Sequence, residues 1–528
     1  MSEYMHGAYG DTKTSGNRLS VESQSAIVCV GTAPVQTLGP GNMAINKPVL
    51  VRNIAEAKKY FGYSEDWASY TLCEAMHYFF EVKGIGPLVM INAFDPADNR
   101  NTTGVTDTHE PVDKPGGTAG QKMIADFVIA NAEGVDQSSI ALTQTCTVVN
   151  GSSETKTNTL VLGTDYELQY DAASKKLTVH QLVDWTESVK EYTGTVTVTS
   201  VGIAYSVVDM TKMTSTKLIG STDNLGTNTG LYAVKNVYTL TGVVPAYLIA
   251  PGWSEIKAVH DVMAEISLKV NGHWDMWMFT DLPLLNGATP LTMSTVVTYK
   301  GANGYDKGNE TVYFPMALGT DGKKYHLSVL AAANFLELLS ENDDVPYHSA
   351  SNTEAEIISK LWMGSENDAR VFDDEIINEN LNKNGIASAA FVGGRWAIWG
   401  AHAADYSYAQ NDLASSSETN RMMLYYLSND FQRRRPVNVD QPLTANDIAS
   451  IVSEEQRRLD ALVAMGALLY GRASLDADSI SDSDVYKGDF VFEYNVTASP
   501  LAKSLKAIVT WTDEGFATYY DTFNGVTA

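Results

Sequence analysis

The residue types that carry out catalysis or bind ligands occur in this chain without the spacing that such chemistry requires. A phosphate-binding loop ends in Gly-Lys followed by Ser or Thr, whereas the stretch from Gly319 to Lys324 ends in Lys-Lys and lacks the hydroxyl that would bind Mg²⁺. Gly-x-Gly-x-x-Gly after a strand, Gly-x-Ser-x-Gly and His-Glu-x-x-His are all absent. The nine histidines stand singly, which is typical of surface or hydrogen-bonded core residues. The sequence therefore predicts no catalytic residue, no cofactor and no metal.

An acidic run alternates in the way that calcium ligands do. It consists of Asp476, Asp478, Asp482 and Asp484. A calcium loop also needs a central Gly and a closing bidentate Glu, and neither is in place. We interpret the run as a solvated loop.

The one dense basic cluster is Arg433-Arg434-Arg435, in a chain with 37 Lys and Arg against 63 Asp and Glu, for a formal net charge of −26. Two interpretations stay open. The cluster balances Asp430 and Asp440 locally, or it docks an acidic partner surface, including another copy of this chain. Because so acidic a chain repels phosphate backbones and anionic lipids, we expect neither nucleic acid nor a membrane as a partner.

The length and the cysteines limit the architecture and the compartment. A chain of 528 residues is expected to hold three or four domains. Cys29, Cys73 and Cys146 lie far apart in sequence, which predicts buried, reduced thiols in a cytoplasmic chain. The first residues lack a basic segment followed by an apolar one, so we expect no secretory signal.

Buried strands that alternate with amphipathic helices predict a multidomain fold of the α/β or α+β class. The first block has strands at Ala26–Val30 and Leu88–Asn92 around a helix over Trp67–Val82. Short alternating runs from Ile124 to about Val208 predict an inserted β-sandwich or small barrel. The α/β pattern then resumes, with the expected elements Ala246–Ala250, Met276–Thr280 and Leu327–Leu339.

The last third of the chain has its own signals. Gly393-Gly394 between two apolar runs predicts a hairpin, and a capping box at Thr444 starts a long helix that we expect Gly471 to close. Phe490–Val496 and Ser504–Trp511 are predicted strands.

Both ends of the chain are short and are predicted to be extended. Tyr4–Thr14 and Phe516–Phe523 are either frayed ends or segments that add a strand to the sheet edge of a neighbouring copy. The residues alone leave these two interpretations equal.

The order of short motifs along the chain resembles that of the tail sheath proteins of contractile phages and related contractile particles. The motifs are His6-Gly7-Ala8-Tyr9 with Ser15-Gly16, Val30-Gly31-Thr32-Ala33, Gly39-Pro40, Phe61-Gly62, Phe79-Phe80 with Gly84, Ala250-Pro251-Gly252, Asp281-Leu282-Pro283, Leu381 to Ile386, and Trp399-Gly400. Two positions depart from the family pattern: His6 replaces the usual Pro, and Ala401-His402-Ala403 replaces Ala-Arg-Thr.

The resemblance implies a structural subunit of a contractile tail sheath. Many copies would form a helical sleeve of six-fold rings around an inner tail tube, and contraction would drive the tube through the host envelope. The implied partners are other copies of the chain, the inner tube protein, and the baseplate and tail terminator proteins. The implied location is the virion tail, assembled in the host cytoplasm.

The resemblance also implies that both ends link neighbouring subunits by strand exchange. The expected linking residues are Tyr4, Ala8, Tyr9, Thr12, Thr14, Phe516, Thr518, Tyr520 and Thr522. Arg433, Arg434 and Arg435 become candidates for docking the tube or a neighbour. We divide the chain into an N-terminal arm (1–18), the first part of the α/β body with a linker (19–117), a solvent-facing β-rich insertion (118–225), the second part of the body (226–380), a tube-facing C-terminal domain (381–512) and a C-terminal arm (513–528).

Two other classes of protein remain as alternatives. One is a cytosolic α/β hydrolase with a carbohydrate-binding β-sandwich insertion, which would need paired carboxylates in a pocket. The other is a surface-layer or adhesion protein, against which the expected lack of an export signal counts.

Overall fold

The computed structural model describes residues 25–39, 41–101, 103–408, 416–476, 487–516, 519–520 and 522. The strands are β1 Ser25–Gly31, β2 Val49–Val51, β3 Leu88–Asn92, β4 Val105–His109, β5 Val112–Asp113, β6 Lys122–Met123, β7 Phe127–Ile129, β8 Val135–Asn150, β9 Ser152–Thr159, β10 Tyr166–Asp171, β11 Lys176–Gln181, β12 Thr195–Val207, β13 Val244–Ile249, β14 Trp277–Asp281, β15 Leu285–Asn286, β16 Thr289–Pro290, β17 Glu310–Tyr313, β18 Met316–Gly319, β19 Lys324–Tyr325, β20 Ile358–Trp362, β21 Ile386–Val392, β22 Arg395–Trp399, β23 Leu468–Leu475 and β24 Phe492–Ala498.

The helices are α1 Ile54–Phe61, α2 Leu72–Met76, α3 Ser215–Ile219, α4 Val237–Thr241, α5 Lys257–Ile266, α6 Thr295–Asn303, α7 Leu327–Glu341, α8 Asp374–Asn380, α9 Glu418–Arg434 and α10 Ala445–Met465. The predicted fold class is therefore confirmed, with helices and several sheets in one chain. The division into domains stays a prediction.

An eight-stranded sheet organises the body, in the order β2-β3-β1-β13-β14-β17-β21-β22. The six inner strands run parallel, and β2 and β22 close the two edges antiparallel to their neighbours. The inner strands are almost entirely buried, as their continuous apolar runs predict. The order reverses between β1 and β13, so the carboxyl ends of these two strands form the topological switch point of the sheet.

Local signals explain several element boundaries. The Asn53 side chain accepts the Glu56 backbone N–H and caps α1, and Gly62 follows the last residue of that helix, as predicted. Gly393 and Gly394 both adopt positive φ in the turn between β21 and β22, which confirms the predicted hairpin. Buried α7 packs on the sheet, and eleven of its 15 residues are buried, so other elements cover it on all sides.

The insertion between β3 and β13 has a separate apolar core. Its two larger sheets, β4-β12-β8-β9 and β10-β11-β7, share a core centred on Leu142, Leu177 and Trp185. Side-chain amides join it to the body, from Gln36 to the Glu133 carbonyl (2.9 Å) and from Gln137 to the Thr37 carbonyl (2.6 Å). The sequence places Val105–His109 in a linker, but these residues pair with β12 as an edge strand.

The third core lies at the C-terminal end of the described chain. It joins α9, α10 and the β23–β24 hairpin through Met423, Leu427, Leu459, Leu462 and Leu468. The predicted capping box at Thr444 is confirmed. The predicted end at Gly471 is wrong, because Gly466 adopts a left-handed φ of 87°, stops α10 and lets β23 begin two residues later.

The helix predicted over Trp67–Val82 begins later than its apolar periodicity suggests. Thr32, just after β1, accepts the N–H of Leu72 through its carbonyl and the N–H of Thr71 through its hydroxyl, which holds the preceding residues in turns. The helix therefore starts at Leu72, and its second half, His77–Val82, has π-helical hydrogen bonding.

Candidate subunit-linking surfaces

The predicted arm residues divide into those that the structure describes and those that it does not. Tyr4, Ala8, Tyr9, Thr12, Thr14 and Thr518 lie outside the described residues. Phe516, Tyr520 and Thr522 are exposed and helical, so the prediction of an extended piece is wrong for them. Their linking role stays a prediction.

An exposed apolar stretch lies just before these residues. We call residues 504–511 the free segment. Leu505, Ile508, Val509 and Trp511 are 92%, 82%, 91% and 79% exposed. Large apolar side chains concentrated in this way mark a surface that another surface covers.

The sequence predicts a strand at Ser504–Trp511, and for the single chain this prediction is wrong. Residues 504–511 have no regular secondary structure and no hydrogen bond to the rest of the described chain. The sequence has the β-branched and aromatic content of a strand, but a strand also requires a partner.

The β23–β24 hairpin is the complementary feature. These two strands pair only with each other within the described ranges. The outer edge of β24 presents unpaired backbone groups, whereas at β23 the Gln456 side chain of α10 donates to the Gly471 carbonyl (3.0 Å) and accepts the Ala473 N–H (2.9 Å). One face of the hairpin packs on α10 and α9. A two-stranded sheet is marginal alone, and an open edge is a template for a further strand.

The three arginines of the basic cluster form ion pairs inside the chain. Arg433 and Arg434 donate to the Asp430 carboxylate, each at 3.0 Å. Arg434 also binds Glu455 of α10 in a bidentate pair with both distances 2.7 Å, and Arg435 donates to Glu455 at 2.8 Å through Nε.

This ion-pair network ties α9 to α10. Burial alone would raise the pKa of Glu455, but the hydrogen bonds from Arg434 and Arg435 outweigh it and lower that pKa to about 2. The predicted balance is confirmed for Asp430 but is wrong for Asp440, with which none of the three arginines forms an ion pair in the described part of the chain. Glu455 is the partner that sequence reasoning missed, since it lies some 20 residues away on another helix. Docking of a tube or neighbour by Arg433, Arg434 and Arg435 stays a prediction.

A buried charged cluster occupies the switch point of the central sheet. His326 lies between two carboxylates, with Nδ1 2.7 Å from Glu74 and Nε2 3.1 Å from Glu255. Asp281, at the end of β14, accepts the Ser328 backbone N–H (3.0 Å) and hydroxyl. The coulombic and hydrogen-bonding effects of Glu74 and Glu255 outweigh burial and raise the pKa of His326. Two motifs quoted for the resemblance border this cluster: a Cβ at Gly252 would lie 3.7 Å from Cε1 of His326, and Asp281 is close enough to feel the charge of the same ring.

Asp281→Asn is expected to change how stability depends on pH. Burial raises the pKa of Asp281 to about 7, against the opposing charge of His326 and the Ser328 hydrogen bonds. A carboxyl with a raised folded-state pKa binds more protons when folded, so its contribution to stability falls as pH rises from about 4 to about 7. The free energy of unfolding of Asp281→Asn minus that of the parent should therefore rise by on the order of 3 kcal/mol between pH 4.5 and pH 7.5, as measured by urea unfolding.

The control for this experiment is Asp306→Asn at an exposed position. A free-energy difference between parent and Asp281→Asn that is the same at both pH values would contradict the assignment.

One cavity brings four acids together: it is lined by Asp275, Asp343, Asp344 and Asp430, and its volume of about 40 Å³ has room for a few water molecules but not for a sugar ring. No group of three or more His, Cys, Asp or Glu side chains in the described ranges is arranged to hold a metal ion. None of the described helices combines the length and apolar character needed to cross a bilayer.

Comparisons with known proteins agree on one class. No protein-family model matches the chain. A curated protein of Burkholderia phage BcepMu, described as a tail sheath protein, is 23% identical over 525 residues, which are 94% of this chain and 95% of the relative.

Two solved structures of the anti-feeding prophage are similar in fold. A chain of its six-fold symmetrised baseplate aligns with a TM-score of 0.51 and 11% identity, over 96% of this chain and 98% of that one. A chain of its helical sheath in the contracted state aligns with a TM-score of 0.50 and 12% identity, over 96% and 99%. The resemblance inferred from the sequence is confirmed: over nearly its whole length, this chain is similar to contractile tail sheath proteins in sequence and in fold.

Proposed function

We propose that this chain is the structural subunit of a contractile tail sheath. Many copies polymerise as a helical sleeve around an inner tail tube, and the sleeve contracts to drive the tube through a host envelope. The observation that carries this proposal is the sequence similarity to a curated phage tail sheath protein over 94% of the chain.

The described geometry suggests how the copies join. The free segment has apolar side chains and unused backbone groups, and the outer edge of β24 is open to a further strand. The free segment of one copy and the N-terminal arm of another each add a strand to the sheet that this hairpin begins in a third copy. Four or five backbone hydrogen bonds per strand, each worth about 0.5–1.5 kcal/mol, would give a tether on the order of 5 kcal/mol.

The sleeve works by stored conformational energy rather than by catalysis. A metastable assembly that relaxes and buries about 200 Å² more apolar surface per subunit gains about 5 kcal/mol for each copy. Summed over many copies, this energy moves a tube without nucleotide hydrolysis. The subunit is therefore proposed to be no enzyme and to need no cofactor.

The partners follow from this role. They are further copies of the chain in six-fold rings, the inner tube, the baseplate and the tail terminator. The chain is a component of a virion or particle tail, and we propose that it is assembled in the host cytoplasm. Neither nucleic acid nor a membrane is a direct partner, because the net charge of −26 disfavours both.

Negative-stain electron microscopy of the purified chain tests the proposal. Long hollow cylinders, or oligomers linked through their arms, are the expected result. A stable monomer with glycosidase activity would instead establish the hydrolase alternative, which the sheath and baseplate relatives do not support.

A further inference from the structure

The C-terminal chain is held to the body at two points before it becomes free. After β24, the Ser499 backbone N–H donates to the Ala467 carbonyl (3.1 Å). Four residues later, Lys503 Nζ donates to the Ala401 carbonyl (2.8 Å). We call residues 499–503 the strap. Lys503 is thus the last anchored residue before the free segment.

The strap lies over a groove that it does not fill. A space of about 630 Å³ remains between the strap and the body, bordered by Asn378, Asn382, His402 and Tyr406. Because packing beneath the strap is incomplete, apolar contact alone does not fix its path. The polar contact at Lys503 is therefore the specific attachment at its far end.

The body provides a prepared site for the Lys503 amine. The Ala401 carbonyl also accepts the N–H of Glu418, the first residue of α9 (3.0 Å). The Glu418 side chain is buried and accepts hydrogen bonds from the hydroxyls of Thr311 (2.5 Å) and Ser349. A buried carboxylate without a cation nearby is costly, so a lysine at this place is favourable for the body as well as for the strap.

The charges around the amine favour one cation at this site. Lys503 as a whole is exposed, but its amine is partly buried at the Ala401 carbonyl, and this desolvation lowers its pKa to about 8. Glu418 opposes the shift, so the amine is charged at pH 7. His402 stacks on Tyr406 at 3.7 Å, and burial together with the Lys503 charge lowers its pKa to about 4. His402 is therefore neutral and does not compete with Lys503 for Glu418.

We propose that Lys503 positions the C-terminal linking arm by fixing, at the Ala401 carbonyl beside Glu418, the point from which the free segment leaves the body. The linking role of the arm rests on the proposed sheath function, but the attachment of Lys503 to the body can be tested on the single subunit. A fixed origin limits the volume that the free segment explores, and so raises its effective concentration at the edge of a neighbour's hairpin.

Pulsed electron paramagnetic resonance on the dilute full chain measures the attachment. Spin labels go on Leu505→Cys and on Leu424→Cys, an exposed position of α9, because the three native cysteines are free but buried. The parent should give a narrow distance distribution. Lys503→Met leaves Ser499 as the last anchored residue and should broaden the distribution by about 10 Å, the span of the five flexible residues from Pro500 to Ser504.

Two variants serve as matched controls. Lys506→Met removes an exposed lysine three residues along, and should leave the distribution narrow. Lys503→Arg keeps a cationic donor and should also remain narrow. A Lys503→Met distribution as narrow as the parent's, or equal broadening by Lys506→Met, would overturn the proposal.

A double variant separates positioning from fold stabilisation. Lys503→Met leaves Glu418 uncompensated and should lower Tm, and adding Glu418→Gln should recover Tm while the distribution stays broad. If the double variant recovers both the parent's Tm and its narrow distance distribution, Lys503 acts through the stability of the fold and the positioning role is refuted. Tube formation by the parent is scored separately: a parent that forms no tubes while Lys503→Met broadens the distribution refutes the sheath function alone, and a parent that forms tubes while Lys503→Met stays narrow refutes the anchor alone.

Discussion

Truncation after Ser504 is expected to abolish tube formation and to leave the subunit folded. The removed residues include Leu505, Ile508, Val509 and Trp511, which contact nothing that the core depends on. Their loss should leave Tm within about 1–2 °C of the parent, because surface changes away from packed features alter stability little. Assembly should fail, because the proposed interstrand hydrogen bonds between copies come from these residues.

A point variant makes the same test without shortening the chain. Ile508→Pro removes a backbone donor and fixes φ in the middle of the free segment, which blocks strand pairing. Ile508→Val is the matched control, since it keeps the β-branched shape and should still form tubes. Negative-stain counts of tubes and light scattering provide the measurement. Normal tubes from Ile508→Pro would remove the free segment from the proposed linkage.

Deletion of residues 1–15 tests the other arm in the same assay. The expected result is again a folded subunit that forms no sleeve, because each hairpin then lacks one of its two added strands. Mixing this deletion with the truncation after Ser504 gives a further check. The two variants should form at most short oligomers together, since neither copy supplies both strands. Unchanged polymerisation of the N-terminal deletion would remove the role assigned to Tyr4–Ser15.

The central sheet was predictable because its signal is local. Continuous apolar runs as short as Leu88–Asn92 and Ala246–Ala250, bounded by Gly and Pro, are typical of buried strands, and observed β3 and β13 follow them closely. Turn and cap residues fixed other boundaries, as at Asn53, Thr444 and Gly393-Gly394. In these places the residues that determine a helix or strand boundary lie in or next to that same element, so the local sequence predicts it.

Predictions failed where the deciding partner lies elsewhere. The free segment has the composition of a strand, but no edge in the described chain pairs with it. The start of α2 is set by Thr32, some 40 residues earlier. The partner of the basic cluster, Glu455, lies on the following helix. Periodicity reports which face is apolar, but it carries no information about which distant polar group will complete a hydrogen bond.

Removal of the Glu455 charge is expected to destabilise the C-terminal core more than any exposed ion pair would. Glu455 is 2% exposed and accepts from both Arg434 and Arg435. Glu455→Gln keeps the shape but leaves two guanidiniums with fewer partners, and breaking one side of a buried pair typically costs about 3–5 kcal/mol. We expect a value near the lower end, about 3 kcal/mol, because Arg434 retains Asp430 and Arg435 retains Glu454.

The pH dependence of the stability lost in Glu455→Gln shows whether charge or packing is responsible. The pKa of Glu455 in the folded chain is lowered to about 2, so its stabilising contribution is complete above about pH 4.5 and disappears as pH falls toward 2. In urea unfolding, the cost of Glu455→Gln should be largest at pH 7 and should shrink by half or more at pH 3. A cost that does not change between these pH values would mean that packing, rather than charge, is lost.

The neighbouring residue supplies the control. Glu454 is half exposed and pairs with Arg435 at 3.0 Å, so Glu454→Gln should cost less than about 1 kcal/mol at either pH. Equal costs for the two variants would contradict the assignment of Glu455 as the centre of the network. Because α10 supports β23, Glu455→Gln should also loosen the hairpin that receives the arms. Tube formation by this variant should therefore fall with rising temperature before the body of the subunit unfolds, since the central sheet and its core do not depend on Glu455.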